Sequence, residues 1–413
     1  MARLLRMATI AAASAAAFAA GVTVRGAGPG ALDAPRGAGE TAAQARTYEV
    51  DRLWPLPLPK PWILGSVTGI AVDSSDRLWV VHRGRASFNA RTEIGLASDP
   101  PTAELCCLPA PQVLAFDSGG ALVRRWDGPG QGYDWPQSPG GIAVDAAGNV
   151  WISAAGAPAG GGRGGGGRGG RGGGGGGGAA TPPAAPPQDA HILKFSADGK
   201  FLLQIGKPGN TGSATSTDAL NRPAAVAVDS AANEVYVADT GNRRIVVFDA
   251  RTGAHKRHWG AYGETPDPAA TIAAYAPGAA APRQFRNLTC VEVARDGMVY
   301  VCDRESNRIQ VFQKDGKFVR ETVIAPSTLG SGSVWDVALS NDNGQATLFV
   351  ADGTNQKVRV LRRDTLAETG SFGSGGRWPG TFFALGSIAV DSRGAIYTGE
   401  ALEGKRVQKF TAR

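Results

Sequence analysis

The side chains best suited to chemistry in this sequence fall at one recurring place. Short β-rich runs end in His82-Arg83, Asp239, Asp303-Arg304-Glu305, Asp352 and Glu400. Two arginines near one axis would suit a carboxylate or another anion, because a guanidinium offers a planar fork of donors. The acids admit two readings. They form a charged ring around the arginines, or Asp and Asn of VADTGN, VCDRESN and VADGTN cap the turns that follow by accepting backbone N–H groups. Repetition at equivalent places favours turn caps for the acids. His82, Arg83 and Arg304 do not repeat and are the stronger ligand candidates. The chain has only four histidines. His191 opens a third strand, and His255 and His258 share an outer one, so those three are not expected at the axis.

The elements that would gather these groups are repeats. An apolar run ending in Asp, a turn, a second β-rich run and a polar turn recur from Gly69 (GIAVDSSDRLWVVHRG), Gly141, Ala225, Cys290, Asp336 and Ser387, six copies in all. The V-x-V and V-Y-V runs are strand-type and bounded by turn residues. A third strand follows (RIVVF, RIQVF, KVRVL, RVQKF), then a fourth with outward charges (HKRHW, KFVRET, LAETGSF). Four antiparallel strands repeated six times predict an all-β, six-bladed β-propeller over residues 47–413. First strands would line a central channel, and the groups named above would surround its mouth. The last copy stops without a fourth strand, so TYEVDRLW (47–54) is expected to pair with it and close the ring. Residues 156–190 interrupt the second blade with a Gly/Arg/Pro-rich tract that can bury no core, expected as a disordered surface loop. Residues 262–285 form a second, Ala/Pro-rich insertion.

Composition narrows the class. Of 413 residues 42% are hydrophobic and 19% charged, enough for a core and too few charges for a coiled coil. The net charge of +7 is concentrated: residues 1–20 contribute +2 and 156–178 contribute +3, leaving +2 for the rest. A nucleic-acid partner is therefore not implied. Residues 1–6 are basic, 7–24 carry no charge, and Ala17-Phe18-Ala19 offers a small-x-small site. This is the pattern of a secretory signal over 1–24, with an uncleaved anchor as the alternative and a flexible linker over 25–46. Both readings export the protein to the periplasm or the medium. A monomer is expected, with no integral membrane domain beyond such an anchor.

The stretches VADTGNRRIVVFD and DRESNRIQVF resemble NHL repeats, and the order of motifs over about 48–411 resembles the lyase domain of peptidylglycine amidating enzymes (peptidyl-α-hydroxyglycine α-amidating lyase). That resemblance implies a channel zinc held by three histidines in Pro-His-x-apolar motifs, with a tyrosine and arginines beside it. The family's His-Arg-Gly matches His82-Arg83-Gly84, and its Asp-Arg-Glu matches Asp303-Arg304-Glu305. The three zinc positions fall on Gly140, Thr289 and Gly386, and an aspartate associated with structural calcium falls on Ser387. The turn Asp239-Thr240-Gly241-Asn242-Arg243 lacks the family's tyrosine. Catalytic zinc needs about three protein ligands, so the resemblance points to a relative of the lyase without its metal site. Sugar-lactone hydrolases of the gluconolactonase type share such a ring and bind a divalent ion through carboxylates, but only Asp336 is acidic among the first-strand starts here.

Four cysteines are too few for a disulfide scaffold. Simple hairpin register sets Cys302 opposite Val291, so Cys290 and Cys302 are expected on opposite faces. Pairing with Cys106 or Cys107, or a buried apolar role, both stay open. The expected function is an exported propeller that binds a small anionic molecule, peptide, glycan or protein, without a cofactor. The alternative is a lyase-like or other metal-dependent enzyme using zinc or calcium. No catalytic residue is assigned.

Overall fold

The structure, a computed structural model, describes residues 47–89, 93, 95, 102, 107–156 and 187–413. The expected leader (1–24), the linker (25–46), Cys106 and positions 157–186 of the glycine-rich insertion lie outside the described residues.

The recurring A-V-D followed by W or Y has a local cause. In blade 1, Asp73 Oδ1 accepts the N–H groups of Ser75 and Arg77, while its Oδ2 accepts Trp79 Nε1 at 2.8 Å. Asp145 does the same for Ala147, Asn149 and Trp151, and Asp391 for Arg393, Ala395 and the Tyr397 hydroxyl. One carboxylate thus closes the first hairpin and anchors the aromatic of the next strand.

Six four-stranded antiparallel sheets result. Their inner strands are Val67–Val72, Pro139–Val144, Pro223–Asp229, Leu288–Val293, Asp336–Leu339 and Leu385–Val390. The second strands are Leu78–His82, Val150–Ala154, Glu234–Asp239, Val299–Asp303, Thr347–Asp352 and Ile396–Glu400. Blade 6 is completed by Tyr48–Val50, paired with Val407–Ala412 in the register Tyr48↔Ala412. The ring therefore closes between its first and last strands, as the sequence predicts. The Tyr48 ring stacks on Phe372 of blade 5 at 4.8 Å, so the closing strand also packs across a seam.

The core lies between blades rather than at the centre. Six hydrophobic clusters fill the six seams. Each second strand contributes one buried aromatic at an equivalent position: Trp79, Trp151, Tyr236, Tyr300, Phe349 and Tyr397. Removing such a ring costs about 3–5 kcal/mol in a typical core.

Five of the six inner strands share an irregularity at their start, where the ladder skips Thr68, Gly140, Ala224, Thr289 or Gly386. A β-bulge frees a residue from strict pairing and re-aims it. Thr68, Ala224, Thr289 and Gly386 line the channel.

The cysteine expectation is corrected. Cys290 and Cys302 are direct cross-strand partners, with Cα atoms 4.9 Å apart, and form a disulfide. The hairpin turn is one residue longer than simple register assumes. Ala294 N–H donates to Met298 O, and Gly297 takes φ +86°, which gives a three-residue turn with its left-handed glycine. Cys107 is also disulfide-bonded.

Candidate functional site: the channel and its mouth

The inner strands enclose a channel cavity of about 210 Å³, walled mainly by Ile, Val and Ala from all six blades. A smaller cavity of about 80 Å³ continues it toward the strand starts. The wall is tight there. A Cβ on Gly69 would come within 2.8 Å of Ile142 N, and one on Gly140 within 2.6 Å of Ser153 Oγ and 2.9 Å of Ala224 O.

The acids predicted at the mouth are present, buried and spent on the scaffold. Asp239 accepts Asn221 N–H on Oδ1, and Arg244 Nε (2.8 Å) and Asn242 Nδ2 (2.9 Å) on Oδ2. Asp303 accepts the N–H groups of Arg286 and Asn287, and Arg308 Nε at 2.9 Å. Asp352 accepts Asn355 N–H and Arg359 Nε, and Glu400 accepts Arg406 Nε, Gln408 Nε2 and Phe383 N–H. In three of the four, the N–H donors come from the loop entering the inner strand. Of the four, only Asp352 accepts a backbone N–H of the turn that follows, as the turn-cap reading expected, while Asp239 reaches its own turn through the Asn242 side chain.

His82 occupies the same structural slot in blade 1. It is fully buried; its Nδ1 accepts Gly65 and Gly84 N–H at 3.0 Å each, and its Nε2 bonds Pro111 O at 2.9 Å. The ring is thereby the Nε2–H tautomer. Burial pushes its pKa down to about 4, against smaller opposing effects of Pro111 O and Asp127. In blade 2 the slot is filled from the far side, by Asp189, which accepts the N–H groups of Gln137, Ser138 and Gly156. Sequence reasoning missed Asp189 because it follows the insertion instead of ending the second strand.

Arg83 and Arg304 differ from Arg244 and Arg308 at this face, whose Nε atoms bond buried aspartates. Nε of Arg83 and Nε of Arg304 are both buried without a hydrogen-bond partner. Burial lowers the pKa of each, opposed by Asp189 for Arg83 and by Glu305 for Arg304. Arg304 lies 4.5 Å over the Trp335 ring and 3.8 Å from Glu305, whose Oε1 already accepts Asn287 Nδ2 at 2.7 Å. Arg83 and Arg304 follow the second strands of blades 1 and 4, half a ring apart.

Two further acids face the channel. Glu292 stands where the other five inner strands carry Ala71, Ala143, Ala227, Ala338 and Ala389, a substitution visible in the aligned copies but overlooked when only strand starts are compared. Burial and then Asp336 push its pKa up to about 8. Asp336 is pushed up to about 7 by burial, against the N–H groups of Ile388 and Val337 that its oxygens accept. The bond to Ile388 ties blade 5 to blade 6, as Thr289 Oγ1 bonding Val334 O ties blade 4 to blade 5.

Among known families, residues 220–248, spanning the start of blade 3, match the NHL repeat. No curated protein matches the chain. Solved structures resemble its overall trace. A streptogramin B lyase is 11% identical, covers 89% of this chain and 98% of its own, and has a TM-score of 0.47. A catalytically inactive virginiamycin B lyase from Staphylococcus aureus, with quinupristin, is 12% identical, covers 89% and 99%, and scores 0.45. A protein of unknown function from Bacteroides thetaiotaomicron is 13% identical, covers 85% and 70%, and scores 0.47.

Proposed function

We propose that this NHL-type propeller is an exported binding module for a carboxylate-bearing ligand, held at the channel mouth by Arg83 and Arg304. The observation that carries the reading is the buried, unpartnered guanidinium Nε of Arg83 and of Arg304; Arg286 and Arg320 also have such an Nε, but their other guanidinium nitrogens donate to Ala273 O and Arg363 O. The arginines that begin the third strands of blades 3 and 4, Arg244 and Arg308, are each neutralised by a buried Asp, whereas Arg304 has only the longer contact of 3.8 Å to Glu305. A desolvated guanidinium lacking a full set of acceptors gains most from an anionic one. His82 serves this site as scaffold, holding the backbone at Gly65 and Gly84 on either side of Arg83. Export rests on the leader-like pattern of residues 1–24; among the described residues no helix is long and apolar enough to cross a membrane.

The zinc set that the lyase resemblance implies does not fit these side chains. Gly140 and Gly386 offer no donor, the Thr289 hydroxyl is engaged with Val334 O, and Gly140 has no room for a Cβ. The alternative, an enzyme with an altered metal site, draws its support from Glu292 and Asp336, two channel carboxyls. Metal analysis of wild type against Glu292→Gln/Asp336→Asn separates the readings, because a stoichiometric zinc or calcium lost with those channel carboxyls would favour the enzyme.

The direct test is a calorimetric titration of wild type, Arg83→Ala and Arg304→Ala with mono- and dicarboxylates, uronic acids and acidic peptides. Loss of one charged hydrogen bond of about 1.5–3 kcal/mol weakens binding roughly tenfold or more. Equal affinities in all three proteins would remove the proposal.

A further inference from the structure

A second site lies on the rim of blade 3, away from the channel. His255 Nε2 and His258 Nδ1 are 3.1 Å apart, with ring centroids at 5.3 Å. Residues three apart on a regular strand point to opposite faces. Here the pairing skips Lys256, so that His258 opposes Val246, Arg257 opposes Val247 and His255 opposes Phe248. The skipped residue returns both imidazoles to one face. The same irregularity occurs in the outer strands of blades 1, 2, 4 and 5, so the bulge belongs to the architecture. The histidines do not: positions equivalent to His255 carry Leu122, Phe201, Phe318 and Glu368.

We propose that His255 and His258 form a chelating pair for a late first-row divalent transition ion, with water completing the shell. Metal–imidazole bonds of about 2.0–2.1 Å and the observed 3.1 Å separation give an N–M–N angle of roughly 100°. That value lies between the square-planar and tetrahedral angles, so a metal can replace the bridging proton with little change in ring spacing. The ring that donates the bridging N–H moves its proton to its other nitrogen through solvent, and both neutral rings then present a lone pair. No net proton is released. The remaining histidines cannot compete, since both nitrogens of His82 are engaged and His191 is buried with Nε2 on Asp134 O. No group of three His, Cys, Asp or Glu side chains placed to hold a metal ion occurs among the described residues, so the protein supplies two ligands.

The test is a titration of the full chain with zinc, nickel, copper(II) and magnesium salts. One equivalent of zinc or nickel is expected to bind, copper(II) more tightly, and magnesium not at all. His255→Gln and His258→Gln should each weaken zinc at least tenfold, and the double variant should abolish saturable binding, with circular dichroism unchanged. Absence of binding, or equal zinc affinity in the double variant, overturns the proposal. Should a variant fail to fold, carbethoxylation of wild type read by mass spectrometry decides: zinc must protect His255 and His258, and unprotected rings refute the site.

Discussion

His82 should make this ring sensitive to mild acid, in a range where carboxylates of ordinary pKa barely titrate and where the raised Glu292 and Asp336 act alike in wild type and in a His82 variant. Its folded pKa, about 4, lies below the ordinary 6.5 because protonation would charge a fully buried ring whose Nδ1 faces two N–H donors. The unfolded chain therefore takes up the proton first. Stability is complete above pH 6.5, falls as pH drops toward 4, and stops changing on this account below 4. From these two pKa values, linkage gives a loss of about 2 kcal/mol at pH 5 and about 0.2 kcal/mol at pH 7. His82→Asn keeps an acceptor for Gly65 or Gly84 and cannot titrate. It should cost about 1–3 kcal/mol at pH 7, because Pro111 O loses its donor, and about 2 kcal/mol less than that at pH 5, where wild type has lost its own margin. Urea unfolding at pH 7 and pH 5 measures both proteins. His191, whose pKa is lowered chiefly by burial, contributes in the same direction to each and cancels in the comparison. The pH-dependent loss in wild type should exceed that in the variant by about 2 kcal/mol. The same loss in both proteins would refute the placement of His82 as a neutral, buried clamp.

Two other perturbations test the scaffold. Arg308→Leu strands the buried Asp303 carboxylate and should cost about 3–5 kcal/mol in urea unfolding, whereas adding Asp303→Asn, which still accepts an N–H from the loop at Arg286 and Asn287, should recover part of it; additive losses would sink the ion-pair reading. Tyr48→Ala, which removes the stack on Phe372, should cost up to about 3 kcal/mol and lower the melting temperature of the whole ring in one calorimetric transition; a separate early transition of blade 6 would show that closure is only local.

The fold was legible because the copies repeat a physical unit: an Asp that closes a hairpin, an aromatic that fills a seam, and strands of β-branched residues. The closing strand was legible from a missing fourth strand. The site was less so, because the same residue type serves two purposes. Asp239, Asp303, Asp352 and Glu400 look like a ligand ring until their arginine partners, five to seven residues downstream, are placed in space. Arg83 and Arg304 stand out only once those pairings leave their buried Nε atoms without a partner. The Cys290–Cys302 bond depended on the length of one turn, and Glu292 on comparing whole inner strands rather than their first residues.

Closure has a consequence for biosynthesis. Glu49 and Arg413, which meet in an ion pair, are 364 positions apart, so the first blade strand to leave the ribosome waits for the last. Five sheets can assemble from neighbouring hairpins as they emerge, but the sixth stays open until Val407–Ala412 has emerged. A prematurely terminated polypeptide would be an arc with two raw sheet edges, vulnerable to proteases and to self-association. The latch between Tyr48–Val50 and Val407–Ala412 thus acts as a check that all six blades have been made.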